Sequence, residues 1–159
     1  MILLAMSASL RKAFHVAPLR TTAPIQSSDW FRLWRCDGMR HKRRDIVVFT
    51  NHVTLFSFVI DATRAKTFGA LCTLFAERYN DAFVPISVSS RISIEEIQPH
   101  TAIDRSLIAV MNSLLLDMSF SDSSDCAILE EHMNHTPIGS RGFQMPAELY
   151  QKQLNEKYS

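Results

Sequence analysis

Glu130-Glu131-His132-Met133-Asn134-His135 is the stretch whose residue types come nearest to metal chemistry. On a helix Glu131 and His135 lie four apart and share a face, as two ligands of one ion must, and His132 and His135 lie three apart. The order fits neither the H-E-x-x-H nor the H-x-x-E-H zinc pattern. Histidines also favour the negative end of a helix dipole, and that is the role expected of these. Cofactor motifs are equally thin. The four glycines, Gly38, Gly69, Gly139 and Gly142, are scattered, whereas a P-loop or a G-x-G-x-x-G turn needs clustered glycines to bring backbone N–H groups to phosphate. No G-x-S-x-G elbow occurs. Cys36, Cys72 and Cys126 are far apart and form no C-x-x-C pair, so three reduced, mostly buried thiols are expected. The reading assigns no catalytic residue, no metal and no cofactor.

Recognition chemistry has more candidates. In Trp30-Phe31-Arg32-Leu33-Trp34-Arg35 a strand would place Trp30, Arg32 and Trp34 on one face. That face is either covered, with Arg32 stacked on a Trp, or an exposed platform for bases or a flat ligand. The run Arg40-His41-Lys42-Arg43-Arg44 sits between two strand-like segments. It reads as a solvated hairpin tip that discourages edge pairing, with Arg43 and Arg44 as the alternative phosphate contacts. Arg105 opens a helix, where its charge opposes the dipole, so a partner is expected: Asp104, a distant carboxylate or a ligand anion. Asn112 lies seven residues further, among apolar neighbours, and is expected to be a buried, hydrogen-bonded latch or a ligand contact.

These residues have to be positioned by an ordinary globular chain. Its 159 residues suit one domain, taken as 1–159, and should bury enough surface to fold without a disulfide or metal. The net charge of +1 points to no polyanionic partner in bulk. The charges are nevertheless segregated: residues 1–80 hold twelve Lys or Arg and five Asp or Glu, and residues 81–159 hold five and eleven. Such asymmetry serves attraction within the fold or between subunits. The apolar run at the N-terminus is too short for a signal peptide and none approaches a membrane helix, so a soluble, cytoplasmic protein with no membrane partner is expected.

Met1–Ala5 reads as a strand and Ser7 as the N-cap of a helix to about Phe14. Residues 15–27 read as loop. Strands are expected at Asp29–Cys36, Asp45–Asn51 and Thr54–Asp61, the last central because both its faces are apolar. A helix follows from Arg64 to about Phe83 on the stripe Phe68, Leu71, Cys72, Phe75 and Tyr79. A further strand lies within 84–97. Thr101 to Asp104 resembles a capping box opening a helix that buries Leu107, Ile108, Met111, Leu114, Leu115 and Met118. A shorter helix runs to about Asn134, and Pro146 starts a last one through Tyr158. The sum is an α+β domain: an antiparallel meander of about four to five strands packed with about four to five helices.

Several blocks carry a resemblance that spans nearly the whole chain. They are Met1-Ile-Leu, Trp30, Val47-Val-Phe-Thr-Asn51 with Thr54-Leu-Phe-Ser-Phe58, Asp104-Arg-Ser106 with Met111-Asn112, and Asn134-x-Thr-Pro137. Together they resemble an uncharacterised family of small bacterial domains of unknown function, with F-T-N-x-x-T-L-x-S as the most specific block. Where small residues would precede Met111, this chain has Ile108-Ala109-Val110. The resemblance implies boundaries and a bacterial setting but no catalytic residues. The function expected is a non-enzymatic intracellular interaction or regulatory module, self-associating as a homodimer or binding another protein. The alternatives are a nucleic-acid-associated regulator using Arg40–Arg44, and a small hydrolase or transferase whose residues meet only in space.

Overall fold

The computed structural model describes residues 1–17, 32–83, 91–100 and 105–158. Strand β1 (Ile2–Met6) leads into the short helix α1 (Ala8–Ala13), whose Ser7 cap accepts the Leu10 N–H. Strands β2 (Leu33–His41), β3 (Arg44–Asn51) and β4 (Ser57–Asp61) follow. Then come α2 (Phe68–Phe83), a 3-10 turn at Ile94–Glu96 and β5 (Ile97–His100). The chain closes with α3 (Arg105–Ser119), α4 (Cys126–Asn134) and α5 (Pro146–Tyr158). Among the described residues no helix is long and apolar enough to cross a membrane.

The five strands form one sheet in the order β4-β3-β2-β1-β5. β2, β3 and β4 are the expected antiparallel meander, but β1 runs parallel to both β2 and β5, so the sheet is mixed. Met6 and Leu33 are separated by a connection long enough for a crossover, which parallel pairing requires and a tight turn cannot supply. The α+β class stands; the purely antiparallel sheet does not.

Helices cover both faces. On one side Leu10 of α1, Leu71 and Phe75 of α2, and Tyr150 and Leu154 of α5 pack on Leu4, Trp34, Val47, Phe49 and Phe58. On the other, Leu107, Met111, Leu114 and Met118 of α3 and Leu129 and Met133 of α4 pack on Ile46, Val48 and Val59. The strand alternation therefore sorts one chain into two cores.

Three elements differ from expectation for local reasons. β2 starts at Leu33 and runs to His41, so Arg40 and His41 are strand residues rather than part of a loop. β4 starts at Ser57, not Thr54, because Asn51 bends the chain: its Oδ1 accepts the Val53 N–H, the Thr54 N–H and the Thr54 hydroxyl, each at 3.1 Å. Leu55 then takes a positive φ of 61°, which no strand residue adopts. Finally, β5 is only four residues long and contains Pro99, tolerable because β5 is an edge strand. The strand expected within 84–97 is thus displaced to Ile97–His100; residues 84–90, and the Thr101–Asp104 cap, lie outside the described residues.

Candidate functional site

Strands β1, β2, β4 and β5 all end at the same end of the sheet, and cations collect there. The β2–β3 hairpin turns through Lys42 and Arg43, both with positive φ (46° and 68°), the geometry of a two-residue hairpin turn without a glycine. Beside it, Ala62 N–H donates to the Asp45 carbonyl and Asp45 N–H to Thr63 Oγ1, which ties the loop after β4 to the hairpin. That loop presents Arg64 and Lys66, both exposed. Its shape comes from Asp61, whose Oδ1 accepts the Thr63 N–H at 3.0 Å and the Thr63 hydroxyl at 2.6 Å. Those bonds, with the nearby Arg44 and Arg64 charges adding less, hold the Asp61 carboxyl below the usual carboxylate range.

The end is only partly neutralised. Arg40 pairs with Asp45 across the hairpin at 2.9 Å, and Arg44 lies 3.6 Å from Asp61. His41 is buried and donates from Nε2 to the Ser123 carbonyl, while Arg44 reaches the Ser124 carbonyl, so the hairpin is anchored to the segment before α4. Lys42 and Arg43 remain exposed at the tip. The solvated basic tip expected from the sequence is there, enlarged by Arg64 and Lys66, which sequence spacing did not connect to it.

The other candidates do not join it. Trp34 is wholly buried and stacks on Phe58, with ring centroids 5.2 Å apart and planes within 5°. It therefore presents no platform, and the exposed Arg32 does not share an open aromatic face with it. Trp30 lies outside the described residues. Arg105 and Asn112 are both exposed on α3, so the buried latch expected of Asn112 is corrected. Leu107, Met111, Leu114 and Met118 set the helix phase, and the residue after Met111 turns away from the sheet by about 100°. Glu131 and His135 are exposed too, and His135 Nδ1 donates to the Glu131 carbonyl of its own helix. Among the described residues no group of three or more His, Cys, Asp or Glu is arranged to hold a metal ion.

Sequence reasoning missed a second polar arrangement, along the open edge of β4. Asn134 of α4 pairs with both backbone groups of Ser57, accepting its N–H at 2.7 Å and donating to its carbonyl at 2.8 Å. One turn earlier Glu130 accepts the Val59 N–H at 2.9 Å. The match is geometric: four helix residues rise about 6 Å and two strand residues about 6.6 Å, so side chains at i and i+4 meet alternate outward N–H groups. Arg78 of α2 reaches round the same edge to bond Glu130 and lies over the Phe58 ring at 5.2 Å. Burial raises the Glu130 carboxyl above its ordinary value, against the opposing pull of Val59 N–H and Arg78. β4 is thus covered on both faces, as expected, but it is an edge strand whose edge is closed by side chains.

A family model described as Domain of unknown function (DUF6933) matches residues 3–149, from β1 into α5. The chain belongs to that family. No curated protein matches it in sequence. In this DUF6933 domain two of the blocks that carry the resemblance meet in space. Thr50, Asn51, Thr54 and Ser57 are all buried, and Asn134, first residue of N-x-T-P, closes on Ser57. Ser57 Oγ donates to the Leu55 carbonyl at 3.0 Å, so the 2.8 Å contact with Thr50 is donated by Thr50. Every hydroxyl in the block serves the turn and the edge. A similar economy holds on β2, where Arg35 grips Asp37 with two bonds of 2.8 and 3.1 Å beneath the second helix layer. Burial raises Asp37, and Arg35 opposes the rise. The thiols of the DUF6933 domain are unpaired; burial pushes Cys72 up to about 11 and Cys36 well above its ordinary value.

Proposed function

We propose that this chain is a non-enzymatic interaction module of the bacterial cytoplasm that holds an extended polyanion, the phosphate backbone of nucleic acid, against the basic end of its sheet. One observation supports the reading above others: Lys42, Arg43, Arg44, Arg64 and Lys66, from two separate turns, are held side by side by the Ala62–Asp45 and Asp45–Thr63 bonds. Among the described residues Asp61 offsets Arg44 of that set, while Asp45 is taken up by Arg40 beside it. With Trp34 buried, contact is through charge rather than base stacking, which favours backbone over sequence. Fluorescence anisotropy with a random-sequence duplex should show binding that weakens steeply with added salt. Arg43→Glu with Lys66→Glu should lower affinity at least roughly tenfold and flatten the salt slope by about two units. Binding that ignores salt, or a double variant equal to the parent, rejects the reading.

Self-association is a second reading, supported by a different surface. Leu116 on the solvent side of α3 and Phe120 just past its end are 57% and 79% exposed, and Ile128 of α4 is 56% exposed. Light scattering coupled to size exclusion should then give a dimer that Phe120→Asp converts to monomer without changing the unfolding midpoint. A parent that elutes as a monomer at every concentration removes it.

A further inference from the structure

On the first core's side of the sheet, side chains shrink toward the basic end. β2 passes from Trp34 and Cys36 to Gly38, and the segment after β4 contributes Ala62 and Ala65. A Cβ at Gly38 would stand 2.9 Å from Leu10 Cδ1, so α1 settles against bare backbone there. α1 is only six residues long and α2 does not begin until Phe68, so α1 walls one side of this corner and neither helix closes it over. What remains is a cleft of about 390 Å³, within the size range of small-ligand sites. Leu10, Phe14, Val47, Ala62 and Ala65 supply an apolar interior, and Arg40, Lys66 and Asp45 stand around it.

We infer that this cleft binds an aliphatic monocarboxylate, with its chain against Phe14, Val47 and Ala62 and its head at Lys66. The charge decides the class. Two cations and one carboxylate leave the rim one positive charge in excess, and Asp45 is already engaged by Arg40 at 2.9 Å. Lys66 Nζ donates one proton to the Thr63 carbonyl at 2.7 Å, which fixes the ammonium and leaves two donors for an incoming carboxylate. A neutral ligand would leave that ammonium without its counterion, and a cationic one would be repelled. Lys66 is shared with the polyanion reading, but the inference rests on the apolar corner and not on the hairpin tip, and Ala13→Phe tells the two apart.

Decanoate is the probe, added below its micelle concentration to the full chain and followed by calorimetry and by 15N–1H spectra. Saturable binding at one site is expected, with shifts concentrated at Gly38, Val47, Ala62 and Ala65. Decylamine should bind at least roughly tenfold more weakly, and Lys66→Gln should lose a similar factor for decanoate. Ala13→Phe, at an exposed position of α1 on the cleft, should block decanoate while leaving the duplex affinity and unfolding midpoint unchanged. Decylamine or decanol binding as tightly as decanoate overturns the inference. So do shifts centred on Leu116 and Phe120, or an Ala13→Phe variant that is folded and still binds. Loss of duplex binding with decanoate binding intact would reject only the polyanion reading.

Discussion

Asn134→Ala is expected to lower stability by about 2–4 kcal/mol, read as a shift of the urea midpoint at unchanged slope. The size follows from what the side chain covers. Asn134 is buried and satisfies both the N–H and the carbonyl of Ser57, so truncation strands two backbone groups where water has poor access. Each stranded group costs about 1–3 kcal/mol. Asn134→Asp keeps an acceptor for the N–H but sets a carboxylate against the Ser57 carbonyl, and should fare no better. Glu130→Gln supplies a neutral comparison: its amide oxygen still accepts the Val59 N–H while the Arg78 pair is lost, so a smaller loss is expected. If Asn134→Ala shifts the midpoint by less than about 0.5 kcal/mol, β4 is not closed by this helix.

Trp34→Ala should be the most damaging single truncation, costing about 3–5 kcal/mol. Trp34 has no exposed surface, stacks on Phe58 and meets Phe75 and Tyr79 edge-on, so its removal opens a cavity bounded by rings that cannot easily collapse. Trp34→Phe should cost much less. It keeps an aromatic ring against Phe58, and it removes an indole N–H that is buried with no hydrogen-bond partner among the described residues. Thermal unfolding of both variants, with duplex affinity measured below their midpoints, separates packing from recognition. A ligand-facing tryptophan would show the reverse: a mild loss of stability and a large loss of affinity.

These two residues also mark how far local pattern carries. The hairpin was legible because a polar basic run separates an aromatic-rich stretch from a β-branched one, and α2 because Leu71, Cys72 and Phe75 recur with helical period. Both signals are local. Burial of Trp34 was not legible, since an alternating strand places it equally well in a core or on a platform until the covering helices are known. β1 joining as a parallel strand depends on where a long connection returns, which no window of residues encodes. Asn112 was misjudged because apolar neighbours in sequence are not neighbours in helix phase; Met111 faces the sheet and Asn112 does not. The edge closure was hidden for a related reason. Asn134 sits seventy-seven residues from Ser57, and a strand expected from Thr54 left no place for the Asn51 turn that bends this block.

The β4 closure has a counterpart at the other margin. There β5 is four residues long and carries Pro99, which has no amide hydrogen to offer a newcomer. A foreign chain seeking to extend the ladder therefore meets a carboxylate and an amide on one flank and a short, proline-interrupted strand on the other. Both flanks thus carry features that disfavour strand addition, beside a surface where charge and apolar side chains crowd together.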